Sequence, residues 1–540
     1  MIANIVFQVI GGLGLFLYGM ENMSGGMRKL AGSKLKKILA AFTTNPLMGI
    51  LVGIFITVLV QSSSVSTVMT VGFVNASLLT MKQALGIILG ANIGTTVTGW
   101  ILILSIGAYG LPIIGVSVIV FMAAKSERLK NAALTLMGFG FIFFGLQTMS
   151  NGMKPLRELP GFVNLFYLFK ADSYFGVVKA ALVGAVLTGI VQSSAATLGI
   201  TIMFANQGLI DFPTGAALVL GENIGTTVTA LLASLNTNSN ARRVALAHTI
   251  FNTFGTVWVT AIFPFYLKII GRIADPAVSV ERAIVMSHSL FNVFNVLLFA
   301  PFLGPYAAFL EKIIKGKSEA PVRVTKLNQL MLQVPSVVVS QTKLEIIEMG
   351  EKIQRVFIAL DDVFHRKDNA EESLKLIADT ERMLDLYEKE ISDINFTMLN
   401  QELSSSMIRE TRGNLITTDE FETISDYLDR IAKEVNKLRD DDLKLSEGNR
   451  NVLFTINGMV SGFFNEVFKA YDRKDVQLFV NAIREYDEMK FVYREAKIEH
   501  FSADHGDIPS RLSVGYIDML NYYRRACDHI YNIIEHFAQI

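Results

Sequence analysis

The chain has 540 residues, 51% of them hydrophobic, a mean hydropathy of +0.40, and 49 basic against 49 acidic side chains. That balance hides a split: residues 1–310 hold 18 Lys+Arg and 8 Asp+Glu, and residues 311–540 hold 31 and 41. The acidic second part and the lack of a basic tract argue against nucleic-acid binding, and a single cysteine, Cys527, excludes an intramolecular disulfide framework.

The first part is a series of apolar runs, near 4–20, 38–60, 64–80, 84–107, 110–124, 131–149, 174–191, 195–210, 213–235, 244–267 and 283–305. A bilayer-spanning helix needs roughly 20 apolar residues, and only this part supplies such runs repeatedly. The opening run has no charged n-region and no small-residue cleavage site. It reads as a first membrane segment rather than a signal peptide.

Two of the junctions are polar. Gln61-Ser62-Ser63-Ser64 sits between the runs 38–60 and 64–80, and Gln192-Ser193-Ser194 between 174–191 and 195–210. Each pair of runs reads as a hairpin that enters the membrane, turns at the polar cluster and returns. Irregular backbone at that depth is tolerated only where protein covers it or water fills a cavity.

The two clusters are copies. Gln61-Ser62-Ser63 recurs as Gln192-Ser193-Ser194 at an offset of 131, and "GANIGTTVT" (Gly90–Thr98) recurs as "GENIGTTVT" (Gly221–Thr229) at the same offset. Upstream, "GLGLFLYGMENMSGGM" (Gly12–Met27) resembles "GFGFIFFGLQTMSNGM" (Gly138–Met153) at an offset of 126. This is one internal duplication, with repeat 1 over about 5–107 and repeat 2 over about 131–236. The extra helices are expected at 244–267 and 283–305.

Basic residues mark cytoplasmic loops. They follow the opening helix of the first copy (27–37) and precede that of the second (125–130). The copies are therefore expected to be inverted. Basic stretches at 241–243 and 312–317 fall on the same side. The result is seven crossings, two re-entrant hairpins, an outside N-terminus and a cytoplasmic C-terminus.

"AHTIFNTF" (247–254) is echoed by "SHSLFNVF" (287–294), so His248 and Asn252, and likewise His288 and Asn292, share a helix face. The preferred reading is helix–helix hydrogen bonding; the alternative is a polar lining of the transport path. Beyond residue 320 the pattern is amphipathic, as in 374–394 and 421–438, with similar stretches at 451–470, 474–500 and 513–538. A linker over 313–340 and a soluble helical domain over 341–540 are expected. The fold class is all-α, a polytopic membrane domain followed by a helical-bundle domain.

Inverted repeats with broken helices are the architecture of many secondary transporters. A chain break frees backbone N–H groups at one half-helix start, which attract an anion, and C=O groups at the other half-helix end, which attract a cation. Ser and Thr hydroxyls and Asn and Gln amides serve either. The candidate binding residues are Gln61, Ser62, Ser63, Ser64, Asn92, Thr95, Thr96, Gln192, Ser193, Ser194, Glu222, Asn223, Thr226 and Thr227. Neither motif contains Arg, so an anion would be held reversibly. Carrying it inward against the membrane potential costs about 2.3 kcal/mol per charge per 100 mV, which requires co-bound cations. Na⁺ suits a neutral all-oxygen site. Glu222, in place of Ala91 of the first copy, can bind Na⁺ or accept a proton from phosphate; the alternatives are a wet vestibule or a Lys or Arg partner. No nucleophile–base constellation is present, and no enzyme is expected.

These motifs resemble the type II sodium-dependent phosphate cotransporter family over roughly residues 5–305. The resemblance implies Na⁺-driven symport of inorganic phosphate, with cargo held around the two QSS hairpins. Ala195 departs from the family pattern, where a third Ser is expected. The second part resembles a PhoU domain, whose acidic i,i+4 pairs hold metal clusters. Glu381/Asp385 and Glu422/Asp426 match, so a divalent metal is a candidate there. In the second half Arg524 stands where an acidic residue is expected and Asp528 remains, which puts a second metal site in doubt. The expected partners are phosphate, sodium ions, the lipid bilayer of the cell membrane and a second copy of the chain. The alternatives are a symporter of another oxyanion (sulfate or arsenate) and a membrane phosphate sensor that does not transport.

Overall fold

The computed structural model describes residues 2–40, 46–104, 109–155, 166, 168–316, 324–365, 370–473, 476–502 and 509–538. Parts of several expected segments lie outside these, among them 41–45 of the run 38–60, 105–107 of the run 84–107, and 317–323 of the linker. The described residues are helical, with no strand among them. They divide into two compact units, one of residues 1–322 with 328–337, the other of 323–327 with 338–540.

The membrane unit opens with α1 (Ile2–Ala40), α2 (Pro46–Val60), α3 (Ser63–Asn75), α4 (Met81–Leu102), α5 (Gly110–Ala123) and α6 (Glu127–Met153). The second copy continues with α7 (Tyr174–Val191), α8 (Ser194–Asn206), α9 (Phe212–Gly225) and α10 (Val228–Ala233). Outside the duplication come α11 (Ser239–Ala261), α12 (Phe263–Ile273), α13 (Val280–Phe299) and α14 (Leu303–Ile313).

The inversion is visible in α1 against α6. Gly12 lies against Gly145, Gly19 against Gly138, and Gly26 against Asn131 and Thr135. Numbers fall along one helix as they rise along the other, so the two opening helices are antiparallel. Gly12 and Gly138 are equivalents, and so are Gly19 and Gly145; each meets the other's partner, as a two-fold relation requires. Small residues let the backbones touch, which is how helices associate in lipid.

Within each copy the packing repeats at the offset of 131. Gly49 meets Gln83 and Gly86, Gly53 meets Ile87 and Ala91, and Gly94 meets Ile54 and Thr57. Gly184 meets Leu218, Gly221 meets Ala181, and Gly225 meets Ala185 and Thr188. Numbers here rise together, so α2 runs parallel to α4, and α7 to α9. Between them α3 turns back on α2, where the Thr57 hydroxyl donates to Ser66 Oγ across the tip (3.0 Å). Each copy is thus an entering arm, a returning arm and a crossing helix. The copies also interlock: Gly99 near the end of α4 meets Leu198 of α8, and α10 packs on α3.

Two expectations change. The run 244–267 is not one helix: α11 and α12 meet at 89°. Pro264 in the first turn of α12 lacks an N–H and cannot continue the ladder. Six described helices are long and apolar enough to span a membrane, or seven counting that bent pair. The set differs from the expected seven. Helix α5, with 14 residues, is about 21 Å long at 1.5 Å per residue, short of a ~30 Å hydrocarbon core. Helix α7, with 18 residues, qualifies by length although its geometry is that of a hairpin arm.

The chain then lays a strap on α3. Residues 328–337 belong to the membrane unit, although the stretches on both sides belong to the other. Its short 3-10 turn, Gln329–Gln333, packs on α3. Asn328 Nδ2 donates to the Gly72 carbonyl (2.8 Å), while its Oδ1 accepts from Leu330 N–H (2.9 Å). The absence of a side chain at Gly72 lets Leu330 sit against the helix backbone.

The second unit holds most of α15 (Pro335–His365), then α16 (Ala370–Leu399), α17 (Ser405–Asp440), α18 (Glu447–Arg473), α19 (Val476–Ser502) and α20 (Ser510–Ala538). Its core is aromatic, with Phe357, Phe421, Phe463, Phe464, Tyr516 and Tyr523 fully buried. Asn457 Nδ2 donates to the Phe357 carbonyl (2.9 Å), tying α18 to α15. The first residues of this unit are fastened to it: Glu390 accepts the Thr325 hydroxyl (2.6 Å), and Glu345 accepts Lys326 N–H (3.0 Å).

Candidate functional site

The two polar clusters have the same backbone. Gln61 and Gln192 are left-handed, with φ of 55° and 56°, a conformation uncommon for any residue with a Cβ. Each closes the helix before it, N–H to the carbonyl of Thr57 or Thr188, both at 2.7 Å. Ser62 and Ser193 then cap the returning helices: their hydroxyl oxygens accept from Val65 N–H (3.3 Å) and Ala196 N–H (3.2 Å). The Q-S-S triplet is therefore a helix stop followed at once by a helix start. Ser63 and Ser194 open α3 and α8, and their free first-turn N–H groups carry the positive end of each helix.

Behind the tip each returning helix carries hydroxyls on one face. On α3 these are Ser63, Ser66, Thr67 and Thr70, all buried, and on α8 Ser194, Thr197 and Thr201, the last two buried. Ser64, beside this row, is half-buried. The copies differ in their glutamines. Gln61 is 6% exposed, donates Nε2 to the Val58 carbonyl (2.7 Å) and accepts the Thr98 hydroxyl (3.0 Å). Gln192 is exposed.

The crossing helices bring the second motif. Asn92 and Asn223 are buried, and each ties Nδ2 to the carbonyl four residues back, Ile88 (2.9 Å) and Val219 (2.7 Å). Thr96 and Thr227 are equivalents and donate to the Ile93 and Ile224 carbonyls, both at 2.8 Å. Helix α4 passes through Thr95 and Thr96 unbroken, whereas α9 stops at Gly225 and Thr226 and Thr227 bridge to α10. There the Thr226 hydroxyl donates to the Glu222 carbonyl (2.9 Å). The Glu222 carboxylate is 2% exposed and accepts the Thr201 hydroxyl (2.8 Å). It is the only buried carboxylate among the described residues of the membrane unit.

In the second unit Glu381 and Asp385 lie on α16, and Glu422 and Asp426 on α17. Burial first, and then neighbouring Asp385 and Asp426, raise the Glu422 carboxyl from 4.5 to about 7, against a lowering by the Thr423 hydroxyl. Glu381 is raised by burial and then by Asp385, Asp429 and Asp426. The two acidic pairs therefore face each other across the helices. Cations already answer part of this charge: Arg430 pairs with Asp426 (2.7 Å) and Lys433 with Asp429. Among the described residues no three His, Cys, Asp or Glu side chains are grouped to hold a metal ion. Asp528 accepts the Tyr486 hydroxyl (2.9 Å).

A pH effect follows. A carboxyl held above its unfolded value binds its proton more tightly in the folded state, so its penalty is absent below pH ~4.5 and grows until about pH 7. Glu422→Gln is expected to raise stability at pH 8 by about 1–2 kcal/mol, solvent screening allowed for, and to change little at pH 4.5. Thermal unfolding of the full chain in detergent at both pH values checks this; equal gains would contradict it.

The Na⁺/Pi-cotransporter family pattern matches residues 15–151 and 172–269, the two copies, and the PhoU domain pattern matches residues 455–537. An uncharacterised Bacillus subtilis (strain 168) protein, YqeW, is 31% identical over 302 residues, which is 56% of this chain and 96% of that one. The chain belongs to the Na⁺/Pi-cotransporter family. It is a multi-pass membrane protein, and this family is one of transporters rather than enzymes. Escherichia coli (strain K12) YjbB, provisionally named an inorganic phosphate export protein, is 25% identical over 432 residues, 80% of this chain and 78% of its own length. The human sodium-dependent phosphate transport protein 2B is 39% identical over 98 residues, 18% of this chain and 14% of that protein.

Within this family member, several residues that shape the site are absent from the sequence-based set. Thr98 holds Gln61, and Thr201 holds Glu222. Thr98 was within reach, since it closes the duplicated nonapeptide. Thr201 stands seven residues, two helical turns, beyond Ser194 and so shares its face. Asn238, which caps α11 just beyond the second copy, reaches the first, its N–H donating to Asn75 Oδ1 (2.9 Å), and nothing in the motifs announces it.

Proposed function

We propose that the protein is a sodium-coupled symporter of inorganic phosphate, with the two Q-S-S tips and the N-I-G-T-T segments as its cargo site. The observation that carries this reading is the pair of capped half-helix starts, each backed by buried hydroxyls. The N–H ends and hydroxyls suit a tetrahedral oxyanion, and the amide and hydroxyl oxygens with Glu222 suit Na⁺. Buried basic side chains are not part of these motifs, so the anion is held by dipoles and released readily. Glu222 either carries Na⁺ or takes a proton from phosphate. The basic loops support a cytoplasmic second unit, which serves to regulate flux. The carboxylates Glu381, Asp385, Glu422 and Asp426 remain candidate divalent-metal ligands, and dimerisation a candidate assembly.

A second reading concerns direction. The name of the Escherichia coli relative points to export, and a symporter runs either way with its gradients.

The test is radiolabelled phosphate uptake into proteoliposomes under an inward Na⁺ gradient, against an equal K⁺ gradient. Ser63→Ala and Ser194→Ala are each expected to cut Na⁺-driven uptake at least about tenfold, ~1.4 kcal/mol. Uptake indifferent to Na⁺ would break the coupling. Phosphate binding without flux would favour a sensor, and equal competition by sulfate or arsenate a broader oxyanion carrier.

A further inference from the structure

The site's two motif asparagines are each met by a side chain from outside the duplication. Asn92 and Asn223 spend their Nδ2 groups on their own helices, which turns each Oδ1 away from its backbone. On Asn92 Oδ1 stands His248 Nε2 of α11 (3.4 Å), and on Asn223 Oδ1 stands Asn292 Nδ2 of α13 (3.2 Å). An amide oxygen only accepts, so Nε2 is the protonated nitrogen of His248. Every one of these four side chains is at least 95% buried.

The two outside helices carry matching pairs. Asn252 donates Nδ2 to the His248 carbonyl (3.0 Å), and Asn292 does so to the His288 carbonyl (2.9 Å). What these bonds leave over is unusual. His248 Nδ1, Asn252 Oδ1, His288 Nδ1, Asn292 Oδ1 and the Ser287 hydroxyl are buried with no protein partner. Leaving a buried polar atom unsatisfied costs about 1–3 kcal/mol. Five such atoms on two helices, each flanking an N-I-G-T-T asparagine, are not explained by helix–helix adhesion, which would pair them with each other.

We propose that His248 and Asn292 are positioning residues for the cation: they aim the amide oxygens of Asn92 and Asn223, and so set Na⁺ affinity and selectivity. This rests on the sodium-coupled reading above. Each amide oxygen has two lone pairs; the outside donor fixes one and leaves the other directed at the ion. The arrangement is that of a metal site's outer partners, which orient ligands they do not replace. It also gives the extra helices a role that the duplicated copies lack.

The experiment uses the full chain in proteoliposomes and measures uptake against Na⁺ concentration, with Li⁺ as the competing driver. His248→Phe keeps a ring and removes the donor; His248→Gln restores a donor. Asn292→Leu is the second-copy counterpart. The expected result is a rise of about tenfold or more in half-saturating Na⁺ and weaker discrimination against Li⁺ in His248→Phe and Asn292→Leu. Half-saturating phosphate at saturating Na⁺ should change less than about twofold, and His248→Gln should recover most of the Na⁺ affinity. Should a variant fail to fold, the other carries the test, with Na⁺-dependent thermal stabilisation in detergent as a second readout. Unchanged Na⁺ affinity and Li⁺ discrimination in a coupled wild-type background would overturn the positioning role alone. So would equal loss of maximal rate in His248→Phe and His248→Gln at constant Na⁺ affinity. A wild-type protein indifferent to Na⁺ in both uptake and stability would overturn the coupling, and this role with it.

Discussion

Gly221→Ala is expected to yield no monodisperse protein on size-exclusion chromatography in detergent, and Gly90→Ala the same. A Cβ on Gly221 would stand 1.7 Å from the Ala181 carbonyl oxygen, and one on Gly90 1.9 Å from that of Ile50. Both obstacles are backbone, so no rotamer change relieves them. Ordinary overpacking costs about 1–3 kcal/mol; here two helices must part along their length, and the loss exceeds that. The damage should not stop at packing, because the entering arm ends in the Q-S-S tip and the crossing helix carries the N-I-G-T-T segment. Gly14→Ala and Gly115→Ala are the controls. Nothing lies within 4 Å of the added atom at either position, and both variants should elute as the parent does. A folded, transporting Gly221→Ala would contradict the close approach.

Glu222→Ala, which restores the residue of the first copy, is expected to fold and to lose Na⁺-driven phosphate uptake by at least about tenfold, ~1.4 kcal/mol. A carboxylate buried at membrane depth is costly to keep, and this one has a single hydroxyl, Thr201, on its Oε1. Glu222→Gln separates its two properties, since the amide oxygen still accepts from Thr201. Loss of uptake in both variants would assign the role to the charge. Retention in the Gln variant would assign it to the hydrogen bond, and retention in both would remove Glu222 from the site.

The duplication and its inversion were legible because they are written in one dimension. An offset of 131 shared by Gln61/Gln192 and Asn92/Asn223 survives any folding, and the basic loops fix the sense of each copy. Ser62 and Ser193 were legible as polar turn residues and candidate ligands, and their capping of α3 and α8 emerged only in the structure. The left-handed glutamines were not. Gln has no preference for positive φ; what Gln61 and Gln192 share is the N–H bond that closes the helix on Thr57 O or Thr188 O. The bend between α11 and α12 was announced by Pro264 and hidden by the apolar run around it. The contacts of Glu222 with Thr201, and of Asn92 with His248, join residues 21 and 156 positions apart, and no local pattern encodes such distances. In the second unit the acidic pairs were picked out through the PhoU resemblance, but the lysine and arginine that answer Asp429 and Asp426 were not.

An inverted pair of equal copies would make the two orientations of the central site equal in energy by symmetry. The strap lifts that degeneracy. It grips α3 at Gly72 through Asn328, whereas the corresponding arm α8 leans at Gly199 on the Phe16 ring of α1. One arm is held by a directional hydrogen bond and a segment of the chain's own later sequence, the other by an apolar contact with a buried ring. The two returning arms are therefore held in different ways, which breaks the equivalence of the copies. The strap is also a splice: Thr325 and Lys326 before it are pinned to Glu390 and Glu345, and α15 begins within its last residues, at Pro335.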